Sequence, residues 1–592
     1  MKNTSWLNCS ISILFGIIVW VFFGIFYRHH LHYQEEIQLF LTTSNYFFET
    51  LTYPGGLAVY FSRLFTQFFI DSFAGALCIA LLLIALQQLV WRVSIGQVQS
   101  KSKKSNYYLL SCIPSIVYAC ALMDENFLLT ALIALIFALM AVLLYNQIKS
   151  QKVRYVYLLL MIPLLYWLTG SVCIVFGMIV LLKEWTEKEK SNQLILSILS
   201  VSAIVIYILS VLIAKICIVQ YPVARLWLAG EYYRFPGVFP VILLSILLSV
   251  ILIPVLFKYL PEKSSRKSRL FIGGIQLILI VLLAGWGLKA FADWGKEEVL
   301  AYDYFARMKK WNSIINIADK KTPNGPLSVA TLNLALAQKN YLPEYMFHYI
   351  QNGPEGLLPN FQKEYIMDMM VGEIYYHLGL INTAQRFAFE GMEAIPGYQK
   401  SVRSIRRLAE TNLINGQYEV AAKYLSILEH TLFYRQWAKE TSTYLYNEEK
   451  INAHPEWGVL RQFRPKEDFL FSEQEKDMMM GILYQHHPEN RMAYEYLLAY
   501  TLLKKDLPHF FDYYHLEKRV PEEAPESYRE ALAFIWGQTN FNPEMRPAGI
   551  DDRTVIALKS FSEAYRKNKD SEKLLYKQYG KTYWYYLVFK YN

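Results

Sequence analysis

The sequence predicts an all-α protein in two parts: a polytopic membrane domain over residues 1–292 and a soluble helical domain over 293–592. Two observations predict it. Long uncharged apolar blocks fill residues 7–291, whereas charges recur every few residues beyond Asp293. Basic residues cluster between the apolar blocks, as in RVSIGQVQSKSKK and KYLPEKSSRKSR, which is how a membrane protein marks its cytoplasmic loops. A content of 54% hydrophobic and 16% aromatic residues is too apolar for an ordinary soluble chain of 592 residues. The formal charge of +9 resides in the first part, so it marks membrane loops and excludes a nucleic-acid-binding profile. All six cysteines lie in or beside apolar blocks, none at metal-ligand spacing, and the second part has none to hold it with disulfides.

The first block, residues 7–27, ends in FGIFYRHH with no small-x-small cleavage signal, and reads as a retained signal anchor. Further crossings are expected at 72–91, 107–122, 127–145, 194–214, 238–257 and 271–291. Residues 153–182 form either one helix kinked at Pro163 or two short crossings meeting at Leu168 to Ser171. The positive-inside rule favours two, because the basic segments at 92–104, 149–154 and 258–269 then all fall on the cytoplasmic side. The expectation is about nine crossings in a bacterial inner membrane, with the N-terminus cytoplasmic and the C-terminal domain extracytoplasmic.

The first outer loop, residues 29–71, carries the densest polar text. At helical period Glu35, Gln38, Thr42, Asn45, Glu49 and Thr52 line one stripe, opposed by Ile37, Phe40, Leu41, Phe47, Phe48 and Leu51. That pattern predicts an amphipathic helix on the membrane surface, its polar face in water, ended by Pro54-Gly55-Gly56. A second such helix, LAVYFSRLFTQFF, runs to a cap at Asp71 or Ser72. His29 and His32 share a face with Glu35 or Glu36 at a spacing a metal site uses, but such residues are more often interfacial anchors, here alongside Tyr27 and Tyr33. YYRFPGVFP reads first as an interfacial aromatic belt and only second as a sugar platform.

Paired surface helices after the first crossing, acidic residues at its end, the acidic turn MDEN and short fifth and sixth crossings together resemble the GT-C class of membrane glycosyltransferases. That class uses polyprenyl-phosphate-linked sugars. The resemblance implies that Glu35 or Glu36 is the base, that Asp124 or Glu125 is the second acidic site, and that Arg225, Arg234 and Arg63 hold the lipid phosphate. It leaves room for a divalent metal, Mg or Mn, held by the acidic groups, although no metal ligand set is defined. The sequence departs from the class in carrying Glu-Glu where many members have Asp-Glu or Asp-x-Asp.

Beyond Asp293 the pattern is helix, short turn, helix. Turns at Asn340, Leu380 and Gly416 recur at a spacing of about 36–40 residues, which resembles tetratricopeptide-type repeats. Such a solenoid binds peptides or neighbouring proteins along its concave face, so the expected partner is an envelope protein; its Tyr and Trp also suit a glycan acceptor, although aromatics at helical spacing are more often core. QEEIQLFL, PGGLAVYFSRLFTQFF and NRMAYEYLLAYTLLKKDL also resemble an uncharacterised bacterial family of the same membrane-plus-repeat layout. Three functions compete: a GT-C-like transferase, a non-catalytic scaffold for envelope assembly, and a transporter or flippase. The last is weakened by crossings almost free of mid-membrane charge.

Overall fold

The computed structural model describes residues 2–589 except 97–104, 188–192, 219, 236–237, 262–265, 465–471, 473, 518–522 and 568–571. Parts of the basic loops at 92–104 and 258–269, and of YYRFPGVFP, thus lie outside the described residues. Those described form helices, turns and a single isolated bridge, Phe127 to Tyr233.

The chain divides into two compact units. The first comprises Met1–Glu297 with two later loops, Pro396–Val402 and Glu429–Gln436; the second holds Glu298–Ile395, Arg403–Leu428 and Trp437–Asn592. Among the described residues of the first unit, seven helices are long and apolar enough to cross a membrane: Trp6–Phe26, Ser72–Gly96, Thr130–Gln147, Gln151–Thr186, Gln193–Cys217, Val241–Tyr259 and Leu270–Phe291. This is a multi-pass membrane protein. The long fourth run breaks at Gly170, and Pro163 stays inside a helix: Gln151–Thr169 ends where Gly170 takes φ +76°, a 3-10 turn follows, and Cys173–Glu187 continues. Residues 105–121 fall short of a continuous span, being a 3-10 segment, Ser105–Cys112, followed by the helix Ile113–Ala121 with Pro114 in its first turn.

A polar cluster fixes the helices against one another inside the apolar bundle. Ser12 donates to Gln87 Oε1 at 2.8 Å, Gln87 Nε2 donates to Ser111 at 2.7 Å, and Gln88 Nε2 reaches Ser12 at 2.9 Å and the Tyr108 hydroxyl at 2.6 Å. Gln87 is completely buried, so each end of its amide must be satisfied by protein. Gln87→Leu removes one hydrogen-bond partner each from Ser12 and Ser111, which keep Tyr108, and is expected to cost about 1–2 kcal/mol. Thermal unfolding of the detergent-solubilised chain measures it; an unchanged midpoint would show the cluster contributes nothing.

The loop after the first span departs from its amphipathic reading. It forms three helices, Arg28–Glu36, Ser44–Leu51 and Gly56–Thr66, with residues 37–43 non-helical between the first two. Glu35 is 1% exposed and Gln38 2%, where a wet stripe was expected, whereas Thr42, Asn45, Glu49 and Thr52 are exposed as that stripe requires. The reason is competition for the backbone. Leu39 N–H donates to Lys400 O and Thr42 N–H to His430 O, both within the first unit, and Gln67 donates to Gln38 O. These bonds hold 37–43 out of a helix, and Thr43 then caps the next helix through Tyr46 N–H.

In the second unit helices pair across tight turns, as in Tyr365–Leu378 with Ile381–Glu393 and Lys476–His486 with Arg491–Lys504. Asn340, Gly379 and Gly416 take φ of +58°, +91° and +75° at such turns. Arg403 grips Asp303 with two bonds of 2.6 and 2.9 Å, a buried pair within this unit.

Candidate functional site

The helix Arg28–Glu36 is the centre of the site. Its exposed N–H groups at the first turn are taken by one carboxylate: Glu297 accepts from His29 N at 2.9 Å, His30 N at 3.2 Å and His30 Nδ1 at 2.6 Å. The His30 ring is 1% exposed and stacked on Tyr27 at 4.1 Å. Its Nδ1 faces Glu297, and its Nε2 lies 3.9 Å from a Glu125 carboxylate oxygen, so the ring stands between two carboxylates. Lys296 stands 3.5 Å from the other Glu125 oxygen.

One helical turn on from His30, Gln34 donates to the Phe127 and Glu125 carbonyls at 3.1 and 3.4 Å. The acidic turn is therefore docked on the loop helix through its backbone. Asp124 has its carboxylate engaged, with Oδ1 accepting from Asn126 N and Nδ2 and Oδ2 accepting from the Tyr233 hydroxyl at 2.9 Å. Burial, then the Asp124 charge, pushes the Tyr233 phenol up, so it stays a donor. A third segment joins by backbone and side chain: Arg234 N–H donates to Asn126 O, and its guanidinium donates to the Tyr33 hydroxyl at 2.5 Å. Burial raises the Tyr33 phenol while Arg234 opposes the rise.

Glu35 and Glu36 are both buried, 1% and 2% exposed, on this same helix. One Glu35 oxygen accepts from the Tyr434 hydroxyl at 3.0 Å, and Tyr434 belongs to the loop Glu429–Gln436 of the first unit. The other two expected phosphate ligands meet elsewhere: Arg63 and Arg225 both face Glu231, at 2.9 and 3.5 Å. Of the expected residues, the structure thus gathers Glu35, Glu36, Asp124, Glu125 and Arg234 around one helix, and pairs Arg63 with Arg225. His29 and His32 lie with ring centroids 6.1 Å apart; among the described residues no three His, Cys, Asp or Glu side chains are grouped to hold a metal ion.

Sequence reasoning passed over His30, Lys296, Glu297, Glu231 and Tyr434. His30 stood in the polar stretch, but the three-residue spacing drew attention to its neighbours. The others had no local signal, since Glu297 and Tyr434 are 267 and 399 residues from their partners.

Helical spans, a buried acidic loop helix and a paired-helix second unit define the class: a multi-pass α-helical membrane protein with polar chemistry gathered on its first inter-span loop. A family model described as a family of unknown function, DUF6057, matches residues 2–590, and the chain belongs to that family. No curated protein and no solved structure matches it.

Proposed function

We propose that this protein is a GT-C-like glycosyltransferase, moving a sugar from a polyprenyl-phosphate donor to an envelope acceptor at the outer face of a bacterial inner membrane. The single observation that carries the reading is the convergence of the loop helix bearing Glu35 and Glu36 with the turn Asp124–Glu125 and the Arg234 segment. A surface anchor needs no such gathering. In this reading the chain crosses about nine times, with the N-terminus inside and a tetratricopeptide-like domain outside that presents the acceptor.

The reaction assigns one role to each group. A carboxylate, Glu35 or Glu36, takes the proton of the acceptor hydroxyl as that oxygen attacks the anomeric carbon. The bond from that carbon to the phosphate oxygen breaks, and its electron pair leaves with the polyprenyl phosphate, which gains one negative charge. Glu125, beside Lys296 and His30, orients the acceptor. Arg63 and Arg225 receive the phosphate, and Arg234 holds Tyr33 and the loop helix in place.

Single replacements Glu35→Gln, Glu36→Gln, Asp124→Asn and Glu125→Gln test this by sugar transfer to envelope glycans in membranes. Loss of the base is expected to lower the rate about 10²–10⁴-fold in one of the two Glu variants. Undiminished transfer in all four overturns the reading. It would favour a non-catalytic scaffold, the reading supported by the use of residues 37–43 to bind the loops Pro396–Val402 and Glu429–Gln436.

A further inference from the structure

The pairing of Arg63 with Arg225 leaves a charge surplus that the fold does not use. Both guanidiniums address one carboxylate, Glu231, with Arg63 Nη2 at 2.9 Å from one oxygen and Arg225 Nη2 at 3.5 Å from the other. Arg63 also donates to the Tyr46 hydroxyl at 3.0 Å. The Arg225 guanidinium lies over the Tyr221 ring at 4.2 Å and makes no hydrogen bond to the described residues. It is an oriented guanidinium, 18% exposed, whose donor fork is nearly unspent. Two cations and one anion give a net charge of one, and the anion is 24% exposed. Glu231 itself sits in the left-handed region at φ +47°, directly after Gly230 at φ +133°.

We infer that Glu231 is a resident counter-anion in a phosphate site formed by Arg63 and Arg225, and that it makes the site select a dianionic phosphate over a monoanionic one. The inference rests on the proposed transferase reading for its place in the reaction, although the binding site stands by itself. A sugar-linked polyprenyl phosphate is a phosphodiester with one negative charge. Exchanging it for the Glu231 carboxylate gains no charge between the arginines. The departing polyprenyl phosphate is a monoester with close to two charges at neutral pH and three equivalent oxygens for two planar donor forks. Displacement of Glu231 then becomes favourable as the glycosidic bond breaks and charge gathers on the leaving oxygen. The pair binds the leaving group more tightly than the intact donor, which is the differential binding that accelerates a reaction.

The test uses the full chain in detergent micelles and three probes: farnesyl phosphate, its methyl phosphodiester and inorganic phosphate. The wild type is expected to bind the monoester about tenfold more tightly than the diester, and Glu231→Gln to tighten the diester and close most of that gap. Arg225→Gln is expected to weaken the monoester about tenfold. Equal wild-type affinities for the two esters, or weaker binding of both by Glu231→Gln, overturn the inference. Inorganic phosphate competing as well as farnesyl phosphate overturns the lipid source of the ligand. No sugar is present in the assay, so its failure is separate from failure of the transferase reading; absent transfer with these binding differences intact would sink only the latter.

Discussion

Gly170→Ala is expected to destabilise the membrane unit by about 3–5 kcal/mol or to prevent its accumulation in folded form. Gly170 takes φ +76° with ψ −152°, a region essentially closed to residues with a side chain. Space is closed as well. A Cβ there would stand 2.1 Å from Ala229 O and 2.6 Å from the Tyr232 hydroxyl. Neither neighbour can yield cheaply: Ala229 O accepts from Ser171 N–H at 2.8 Å, and the Tyr232 hydroxyl donates to Thr169 O at 2.6 Å while accepting from Val172 N–H at 3.0 Å. The same knot reaches the corner Pro54-Gly55-Gly56, where Gly55 N–H donates to the Trp167 carbonyl and a Cβ on Gly55 would meet Gly230 Cα at 2.7 Å. Three loops thus approach backbone to backbone, and Glu231 leaves directly from that contact. Gly177→Ala is the control. It lies in the next helix with nothing within 4 Å of its added Cβ, and helix propensity makes it neutral or stabilising by up to about 1 kcal/mol. Thermal unfolding of the two purified variants, followed by elution as a monodisperse species, decides it. Equal midpoints would show that the loops do not need this approach.

The spans were legible because hydropathy is summed over some twenty residues, and no single partner has to be known. The break in the fourth apolar run was legible as a choice, and the glycine that decides it is the residue that can take the required backbone angle. The turns at Asn340 and Gly416 were legible for the same reason. The loop helix was not. Reading Glu35 and Gln38 as the start of a wet stripe assumes that polar side chains seek water, which holds only where no protein group offers a better partner. Here Glu35 meets Tyr434 and Gln38 O meets Gln67, and neither partner is visible in a local window. The acidic turn was recognised for its charges, yet its backbone does the docking, through Gln34 to Phe127 O and Arg234 to Asn126 O. Carboxylates that look alike in sequence are consequently put to different uses: Asp124 shapes its own turn, Glu125 faces His30, and Glu297 closes the start of a helix.

In the second unit the largest effect is expected from pH. Asp368 is completely buried, and neither carboxyl oxygen has a hydrogen-bond partner among the described residues. Burial first, then the charges of Glu390 and Glu364 against those of Arg386 and Lys363, push its carboxyl up to about 8. Glu530 is likewise buried and is pushed up to about 8 by burial and by Glu526 and Glu344, even though it accepts from Tyr583 N–H at 2.6 Å. Both carboxyls hold a proton more tightly folded than unfolded. Their support for the fold is therefore complete below the unfolded carboxylate range and is lost as pH rises toward and through about 8. Across that window each group costs up to about 1.4 kcal/mol per pH unit. Asp368→Asn removes the titration without changing the shape of the side chain. Relative to wild type, it is expected to be about 3 kcal/mol more favourable at pH 8 than at pH 5. Glu530→Gln should follow the same course, since its amide oxygen still accepts from Tyr583 N–H. Urea unfolding of the full chain, with pulse proteolysis scored on fragments of this unit at the two pH values, measures both. A difference from wild type that is the same at pH 5 and pH 8 would mean that these carboxyls ionise freely in the folded chain, which their burial forbids unless the helices Tyr365–Leu378 and Glu526–Gln538 open to water.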